Sequence, residues 1–516
     1  MNKTVSFLLG LLPSFIIVLA FSIPHLNLPH FWDEAWVYAP AVKWMATNNI
    51  SILPDAAPLF ISRGHPLLFQ FLGSVWLSIF GIDNFGAHTY ALFISLTTLF
   101  VSFWFVRKHF GVHAAAFSTL LLSTSAFFLT QSAMVYPEML LTLGLIISLF
   151  GFVEKKNWLF YLGSFIAIYA KETALVFVVG FILWDAYQII FHRRAYLLLL
   201  RHLVPILIFI SHPLLCYFSF GWFFNPEHTG LINWDLSAFT SNLKNVFRFV
   251  FEKQFRGWVF YPIIGLAALL LPLKSKGWNF LMMAIGFTAY KILMKKWVVP
   301  DLLYPVILVV FCALPLLLWH LKRRDRENTA KQDLIGLMFT ISVGYIVFSA
   351  LNFYTPRYTL AIVTILSLGT MILLWSSTIH VRLKWIVSIA CMTLGMYNTF
   401  TQKTISEVNL GLHNDLMVQQ KMVDYIVENH RNDSYCANFV TRTYMANHFA
   451  GYVAYDDQLL NDYLPFCKDD CNMDLLIFTG TEGYCPPVDQ DLSAFTLVYS
   501  DTLGASFARV YKRTKS

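Results

Sequence analysis

Long apolar segments alternate with short polar ones along most of the chain. Because the hydrocarbon core of a bilayer is about 30 Å thick and needs about 20 apolar residues per helix, the pattern predicts about thirteen transmembrane helices. They lie near residues 5–24, 86–106, 112–133, 139–153, 159–170, 174–191, 203–222, 257–273, 278–294, 301–320, 334–351, 359–378 and 385–401. Lys171-Glu172 interrupts the pattern between two of these segments, which predicts a broken or tilted hairpin there.

Two longer polar stretches complete the chain. Residues 402–516 contain a helical pattern at 412–430 and strand patterns at 474–478, 495–499 and 507–512, which predict a small α/β domain. The first loop, 25–85, contains helical stretches near 33–48 and 65–80 that we expect to lie on the membrane surface. The predicted domains are therefore a transmembrane domain, 1–401, and a C-terminal domain, 402–516.

Composition supports an integral membrane protein. Hydrophobic residues make up 57% of the chain and charged residues only 13%, whereas soluble domains carry about 25% charged residues. Much of the net charge of +7 lies in short loops, where it sets topology rather than indicating nucleic-acid binding. The basic loops predict a cytoplasmic N-terminus and an outer C-terminal domain, in a multi-pass protein of a bacterial inner (plasma) membrane.

The cysteines agree with an outer location for the C-terminal domain. Four of the seven cysteines lie in its polar sequence: Cys436, Cys467, Cys471 and Cys485. They predict up to two disulfides and an oxidising compartment, with three pairings open. A zinc site is the alternative, but Cys467-Lys-Asp-Asp-Cys471 lacks a matching Cys/His pair.

The predicted topology gathers ionisable residues at the outer membrane face. These are Asp33, Glu34, Arg63, His65, Glu138, Lys171, Glu172, Lys295, Lys296 and Arg357. Ionisable groups near membrane spans indicate function, and outer cations suggest an anionic substrate. The structural alternatives are that Asp33 and Glu34 cap the helix that follows, that Lys295 and Lys296 reach out to the interface, and that Lys171 pairs with Glu172.

Several of these residues stand in short motifs that occur in a fixed order. The motifs are Asp33-Glu34, Gly64-His65-Pro66-Leu67-Leu68, Tyr136-Pro137-Glu138, Lys171 and Pro356-Arg357-Tyr358. Over about residues 25–360, this set resembles the GT-C superfamily of polyprenyl-phosphate-sugar glycosyltransferases. The branch it resembles most includes the protein mannosyltransferases and the lipid A aminoarabinose transferase.

The resemblance implies a role for each matching residue. Asp33 matches the base that activates the acceptor, Glu34 would position the acceptor or a metal, and Glu138 matches the acidic residue of the second outer loop. Lys171 and Arg357 match cations that hold the lipid phosphate. Arg63 and His65 stand where many members have a basic residue before Pro-Pro-Leu. Tyr136, Glu172 and Tyr358 flank these positions as substrate-binding residues. The cofactor that the resemblance allows is a divalent metal ion, held by Asp33 and Glu138.

The expected function is a membrane hexosyl- or pentosyltransferase. Its donor would be a polyprenyl-phosphate sugar, and its acceptor a glycolipid, a polysaccharide or a protein at the outer membrane face. Displacement by one activated nucleophile inverts the anomeric centre and needs one base. The alternatives are a secondary transporter or lipid flippase, and a structural protein whose outer domain binds a partner. A transporter favours inverted repeats and charged groups at the bilayer midplane, and we find no repeat in the sequence.

Overall fold

The computed structural model describes most of the chain and divides it into two compact units. It describes residues 3–192, 194–230, 232, 234–260, 263, 329–352, 355–377, 379–401, 404–465, 473–480 and 492–514. The first unit comprises Met1–Ile17, Leu96–Ser125 and Glu138–Asn398, and the second comprises Val18–Ser95, Ala126–Pro137 and Thr399–Ser516.

The protein is mostly helical, as predicted. Among the described residues, the α-helices of the first unit are most of Lys3–Ser22, the second part of Asn84–Phe110, and then Val112–Ser123, Glu138–Val153, Asn157–Ala170, Leu175–His192, Leu203–Phe220, Pro226–Thr229, Leu236–Phe251, Thr329–Leu351, Leu360–Ser376 and most of Val381–Thr401. Among the described residues, five helical segments are long and apolar enough to cross a membrane, and several shorter apolar helices accompany them. The segments predicted at 278–294 and 301–320, and most of 257–273, lie outside the described residues, so the count of thirteen stays a prediction.

Two antiparallel helices of the first unit, Glu138–Val153 and Asn157–Ala170, pack backbone against backbone. A Cβ atom added to Gly163 would lie 2.4 Å from the Ser148 nitrogen, and one added to Gly144 would lie 2.5 Å from the Ala167 nitrogen. Small residues allow this close approach in membrane helices, where dispersion and packing replace the hydrophobic effect. The hairpin brings the start of its first helix near the end of its second.

The predicted break at Lys171 is confirmed. Asn157–Ala170 ends before Lys171, which is extended (φ −161°, ψ 132°), and a 3-10 turn at Glu172–Ala174 leads into Leu175–His192. The structure also contains an amphipathic helix, Leu236–Phe251, between the spans predicted at 203–222 and 257–273. Asp235 caps it by accepting hydrogen bonds from the Ser237 and Ala238 backbones.

The second unit contains most of the first loop, 25–85, and the helices expected in this loop are confirmed. The loop has a π-helix at Glu34–Tyr38, α-helices at Ala39–Thr47, Leu59–Ser62 and Leu68–Phe80, and the start of Asn84–Phe110. Helix Ala126–Gln131 also belongs to this unit. Gly73 lets the helix Leu68–Phe80 pack closely, because a Cβ there would lie 2.9 Å from both Tyr90 and Val42 side-chain atoms.

The C-terminal residues of the second unit form the expected α/β domain. A short hairpin, Ile405–Ser406 with Asn409–Leu410, precedes helix Gly411–Asn429. The five-stranded sheet has the order Tyr463–Pro465, Tyr435–Ala437, Leu475–Thr479, Ser506–Arg513, Phe495–Leu503. The first three strands are parallel, and the last two pair in antiparallel fashion. The two three-residue strands and helix Phe439–Ala446 were not predicted, because segments this short show no clear periodicity of apolar residues.

One of the four C-terminal cysteines lies in a described strand. Cys436, in the buried strand Tyr435–Ala437, is disulfide-bonded, in agreement with the disulfide prediction. Cys467, Cys471 and Cys485 lie outside the described residues.

Candidate active site

The predicted site residues are divided between the two units. The second unit contains Asp33, Glu34, Arg63, His65 and Tyr136, and the first contains Glu138, Lys171, Glu172, Arg357 and Tyr358.

The first unit has a buried cluster of charges. The Oε1 atom of Glu138 lies 2.8 Å from Lys171 Nζ and 3.4 Å from Arg357 Nε. The side chains of Glu138 and Arg357 are each 1% exposed, and that of Lys171 is 5% exposed. One carboxylate between two cations leaves a single net positive charge. Buried charges are costly unless they are balanced, so the cluster is suited to receive an anion.

Aromatic and polar neighbours complete this cluster. Lys171 Nζ lies 3.7 Å from the centre of the Tyr358 ring, and Arg357 Cζ lies 5.2 Å from it. Such contacts stabilise cations by about 0.5–2 kcal/mol. Glu172 is half-buried beside Lys171. The second carboxylate oxygen of Glu138, Oε2, is buried and accepts no hydrogen bond within the described chain.

Helix ends place the three charged side chains. Glu138 is the first residue of its helix, Lys171 follows the end of Asn157–Ala170, and Arg357 lies in the 3-10 turn Pro356–Thr359 that begins the next helix. The proline at the start of that turn sets a helix N-terminus, because its missing N–H needs no partner there. Three separate helix termini therefore supply one cluster.

In the second unit, the two neighbouring carboxylates have different environments. Glu34 is 1% exposed, and its oxygens accept hydrogen bonds from the backbones of Phe31 (3.1 Å) and Val135 (2.7 Å). These two contacts tie the Glu34 carboxylate to backbone N–H groups that lie outside the helix that Glu34 begins. Asp33 is half-buried and makes no side-chain capping hydrogen bond to the helix.

Two buried histidines that the sequence analysis missed surround Glu34. His30 Nδ1 lies 3.1 Å and His88 Nδ1 lies 3.6 Å from Glu34 Oε1. Burial raises the pKa of Glu34, but the neighbouring imidazoles and the Val135 N–H more than offset this and leave it below its ordinary value. Burial, helped by the charge of Lys43, lowers the pKa of His30 to about 3. The spacing of four residues between His30 and Glu34 could have indicated their contact from the sequence. No such spacing relates His88 to Glu34.

The cluster of His30, Glu34 and His88 has the residue types of a metal site, but the donor atoms of His88 and Glu34 already have other partners. The two ring nitrogens of His88 lie 2.7 Å from the Ala133 carbonyl oxygen and 3.1 Å from that of Leu28. Both oxygens of Glu34 accept backbone hydrogen bonds. These contacts of Glu34 and His88 help to hold the loop together, whereas neither ring nitrogen of His30 has a hydrogen-bond partner in the described part of the chain.

The backbone around Asp33 is unusual. Trp32 has a φ of 50°, a left-handed conformation that is rare for a bulky residue. Glu34–Tyr38 is a π-helix, a form that occurs frequently at functional sites. Unfavourable backbone conformations persist where the surrounding structure enforces them, and they cluster at functional sites.

The remaining predicted residues of the second unit differ in exposure. Tyr136 is buried, and its hydroxyl lies 3.0 Å from the Phe31 carbonyl oxygen and 2.9 Å from Glu407 Oε1. Arg63 is exposed and ends helix Leu59–Ser62 with a φ of 51°. His65 is half-buried, and its backbone N–H donates to the Ser62 carbonyl.

Comparison with solved structures identifies the fold. The crystal structure of ArnT from Cupriavidus metallidurans bound to undecaprenyl phosphate matches with a TM-score of 0.50 at 13% identity, covering 99% of this chain and 98% of ArnT. ArnT is the lipid A aminoarabinose transferase, a GT-C enzyme. The protein has a GT-C-like fold. The apo structure of the same ArnT matches with a TM-score of 0.46, also at 13% identity and with the same coverage.

No protein-family model matches the chain, and no curated protein matches it significantly. The fold agrees with the resemblance drawn from the short motifs.

Proposed function

We propose that the protein is a membrane glycosyltransferase that transfers a sugar from a polyprenyl-phosphate carrier to a hydroxyl acceptor, with inversion, at the outer membrane face. The observation that carries this proposal is the buried cluster of Glu138, Lys171 and Arg357, with its net positive charge, in a GT-C-like fold. The ArnT structure contains undecaprenyl phosphate, which supports a donor of the same class.

The cluster suits the phosphate of the donor. When the sugar leaves its carrier, negative charge grows on the phosphate oxygen, and fixed cations stabilise that charge most in a site without water. Lys171 and Arg357 would bind the phosphate, and Glu138 would hold both cations in place. Tyr358 would orient Lys171 through its ring. Two neighbouring cations repel a divalent ion, so we assign no metal to Glu138.

We assign the general base to Asp33. Its carboxylate would take the proton of the acceptor hydroxyl, the acceptor oxygen would form a bond to the anomeric carbon, and the bond from that carbon to the phosphate oxygen would break. Polyprenyl phosphate would leave with the bonding electrons. Glu34 would support this reaction indirectly, because both of its oxygens already accept backbone hydrogen bonds.

Two measurements test the proposal. Mass spectrometry of envelope lipids and glycans in a deletion strain should show one missing sugar, which identifies the donor and the acceptor class. The purified protein should then transfer this sugar from its polyprenyl phosphate and not from the nucleotide sugar. Transfer from the nucleotide sugar without a lipid carrier would refute the proposal, and lipid movement across the membrane without any covalent transfer would favour the transporter.

A matched pair of arginine variants tests the phosphate site. Arg357→Gln should weaken competitive inhibition by free polyprenyl phosphate about 10- to 10²-fold, since a hydrogen bond to a charged group contributes about 1.5–3 kcal/mol. Arg201→Gln is the control, because Arg201 pairs with the buried Asp185 at 2.7 Å. It should lower the melting temperature and leave the inhibition unchanged. Equal inhibition of the wild type and Arg357→Gln would remove Arg357 from the phosphate site.

A further inference from the structure

Residues 30–36, which include Asp33 and Glu34 and are called the acidic loop below, contact the C-terminal domain through backbone hydrogen bonds and one aromatic ring. The His30 N–H donates to the Ala450 carbonyl at 3.0 Å, and the Trp32 N–H donates to the Tyr444 hydroxyl at 3.5 Å. The Trp36 ring meets the Phe439 ring edge-on, with centroids 5.5 Å apart. These contacts lie on both sides of Asp33 in the sequence.

Three successive carbonyls of the C-terminal domain each accept one hydrogen bond from the N-terminal part of the unit. The Phe449 carbonyl accepts from Lys43 Nζ at 3.1 Å, and the Gly451 carbonyl accepts from Asn84 Nδ2 at 3.1 Å. The Ala450 carbonyl between them accepts from His30. The turn Phe449–Gly451 therefore joins the acidic loop to the helices that begin at Ala39 and Asn84.

The turn and its neighbouring tyrosine are themselves rigidly held. Asn447 Oδ1 accepts a hydrogen bond from the Phe449 backbone at 3.0 Å. Gly451 has a φ of +86°, and a Cβ there would lie 2.3 Å from Asn84 Oδ1. Tyr444 is fully buried and stacks on Tyr452 with ring centroids 4.1 Å apart. Lys43 is buried and also donates to Asn84 Oδ1 at 2.9 Å.

We propose that the C-terminal domain positions Asp33 for catalysis, with Tyr444 and the turn Phe449–Gly451 as the positioning elements. This inference rests on the proposed function, in which Asp33 is the base. The physical reason is that Trp32, next to Asp33, holds a left-handed backbone that it would not keep alone. The Tyr444 hydroxyl accepts a hydrogen bond from the Trp32 N–H. Tyr444 thereby fixes the direction of the neighbouring Asp33 carboxylate. A misplacement of about 1 Å in a reacting group can cost about 10²-fold in rate.

Tyr444→Phe removes only the hydroxyl that contacts Trp32. We expect kcat to fall about three- to tenfold, in line with the loss of one hydrogen bond, while KM for the lipid donor changes less than about twofold. Lys43→Met removes both contacts of the lysine and should lower kcat at least as much. The matched control is Tyr435→Phe, because Tyr435 is also fully buried but its hydroxyl bonds, among the described residues, to Arg442 and the Leu459 carbonyl. It should keep its kcat.

A double substitution separates positioning from general destabilisation. In an Asp33→Asn protein the base is absent, so adding Tyr444→Phe should change the residual rate less than about twofold. The inference is overturned if Tyr444→Phe has the kcat of Tyr435→Phe, or if the two effects multiply in the double variant. Failure of the proposed function is recognised separately, because Asp33→Asn alone would then keep wild-type turnover.

Discussion

At the scale of single residues, two neighbouring carboxylates differ in what their side chains do. Glu34 is buried and accepts two backbone hydrogen bonds, whereas Asp33 is half-buried and makes no capping bond to the helix. A carboxylate that already accepts strong hydrogen bonds is a weaker base, because those bonds stabilise its charged form. Glu34 therefore suits the support of the loop, and Asp33 stays the proposed base because it is the residue that matches the acidic position implied by the resemblance.

Replacing Asp33 with asparagine keeps the shape of the side chain and removes its basicity. We expect turnover to fall by about 10²–10⁴-fold, the usual contribution of a general base, with an unchanged melting temperature. The control is Asp83→Asn, since Asp83 is exposed and caps the next helix by accepting from the Gly86 backbone. Asparagine caps helices as well as aspartate does, so that variant should keep turnover. A sugar-transfer assay that finds Asp33→Asn as active as Asp83→Asn would disprove the assignment.

Asp415, in helix Gly411–Asn429, gives the C-terminal domain a pH-dependent stability. Burial raises its pKa to about 7 from an ordinary 3.8, with Gln419 and Ser506 as polar neighbours that partly oppose this. Between these two pH values the unfolded chain releases the proton and the folded chain keeps it. The contribution of Asp415 to the free energy of unfolding is therefore largest below pH 3.8, decreases as the pH rises to about 7 and is constant above that pH.

Asp415→Asn should remove this dependence and stabilise the protein above pH 7, by on the order of 2–4 kcal/mol. Melting temperatures measured between pH 4 and pH 8 test this. Asp424→Asn, an exposed position on the same helix, should retain the wild-type slope. An unchanged slope in Asp415→Asn would show that another group causes the pH dependence.

At the scale of elements, the hairpin of Glu138–Val153 and Asn157–Ala170 determines the geometry of the ion cluster. Its helices contact each other through glycines. Glu138 at the start of the first helix and Lys171 after the end of the second are therefore held within hydrogen-bonding distance. A larger distance between the two helices would separate Glu138 from Lys171 and so disrupt the cluster.

Gly163→Ala should destabilise the protein by about 1–3 kcal/mol, the usual cost of overpacking. Its Cβ would lie 2.4 Å from a backbone nitrogen, which cannot move away as a side chain can. Gly344→Ala is the matched control in another helix of the same unit, because its Cβ would have its nearest neighbour at 3.8 Å. It should be neutral or slightly stabilising. Equal melting temperatures for the two variants in detergent would contradict this packing.

At the scale of the whole molecule, the fold agrees with the predicted order of membrane and C-terminal segments. The described helices follow the apolar pattern, except that the span predicted at 112–133 is divided into two helices, Val112–Ser123 and Ala126–Gln131, and the sheet follows them. Which side of the membrane the C-terminal domain occupies is a prediction from the basic loops.

A reporter fused after Ser516 should be active only outside the cytoplasm, because the basic loops place residues 402–516 there. Cys436 should resist thiol labelling in protein isolated without reductant and become reactive after reduction, since it is disulfide-bonded. A reporter that is active only in the cytoplasm would reverse the topology. Immediate labelling of Cys436 in unreduced protein would contradict the disulfide.

The sequence by itself determined the features that depend on neighbouring residues. Apolar length predicted the described membrane helices, and Lys171-Glu172 marked the break because charges interrupt an apolar run. Short apolar runs predicted the three longer strands, whereas the three-residue strands were too short to stand out. Charged residues near helix ends identified Glu138, Lys171 and Arg357 as a candidate set.

Tertiary structure alone decided how distant residues combine. The contact of Glu34 with His88, the shared contact of Lys171 and Arg357 with Glu138, and the hydrogen bond from Trp32 to Tyr444 each join segments far apart in the chain. Two partners of the acidic loop, the Ala450 carbonyl and the Val135 N–H, are backbone groups. Every residue type offers these groups, so they leave no mark in the sequence, and only the folded chain shows which of them are used.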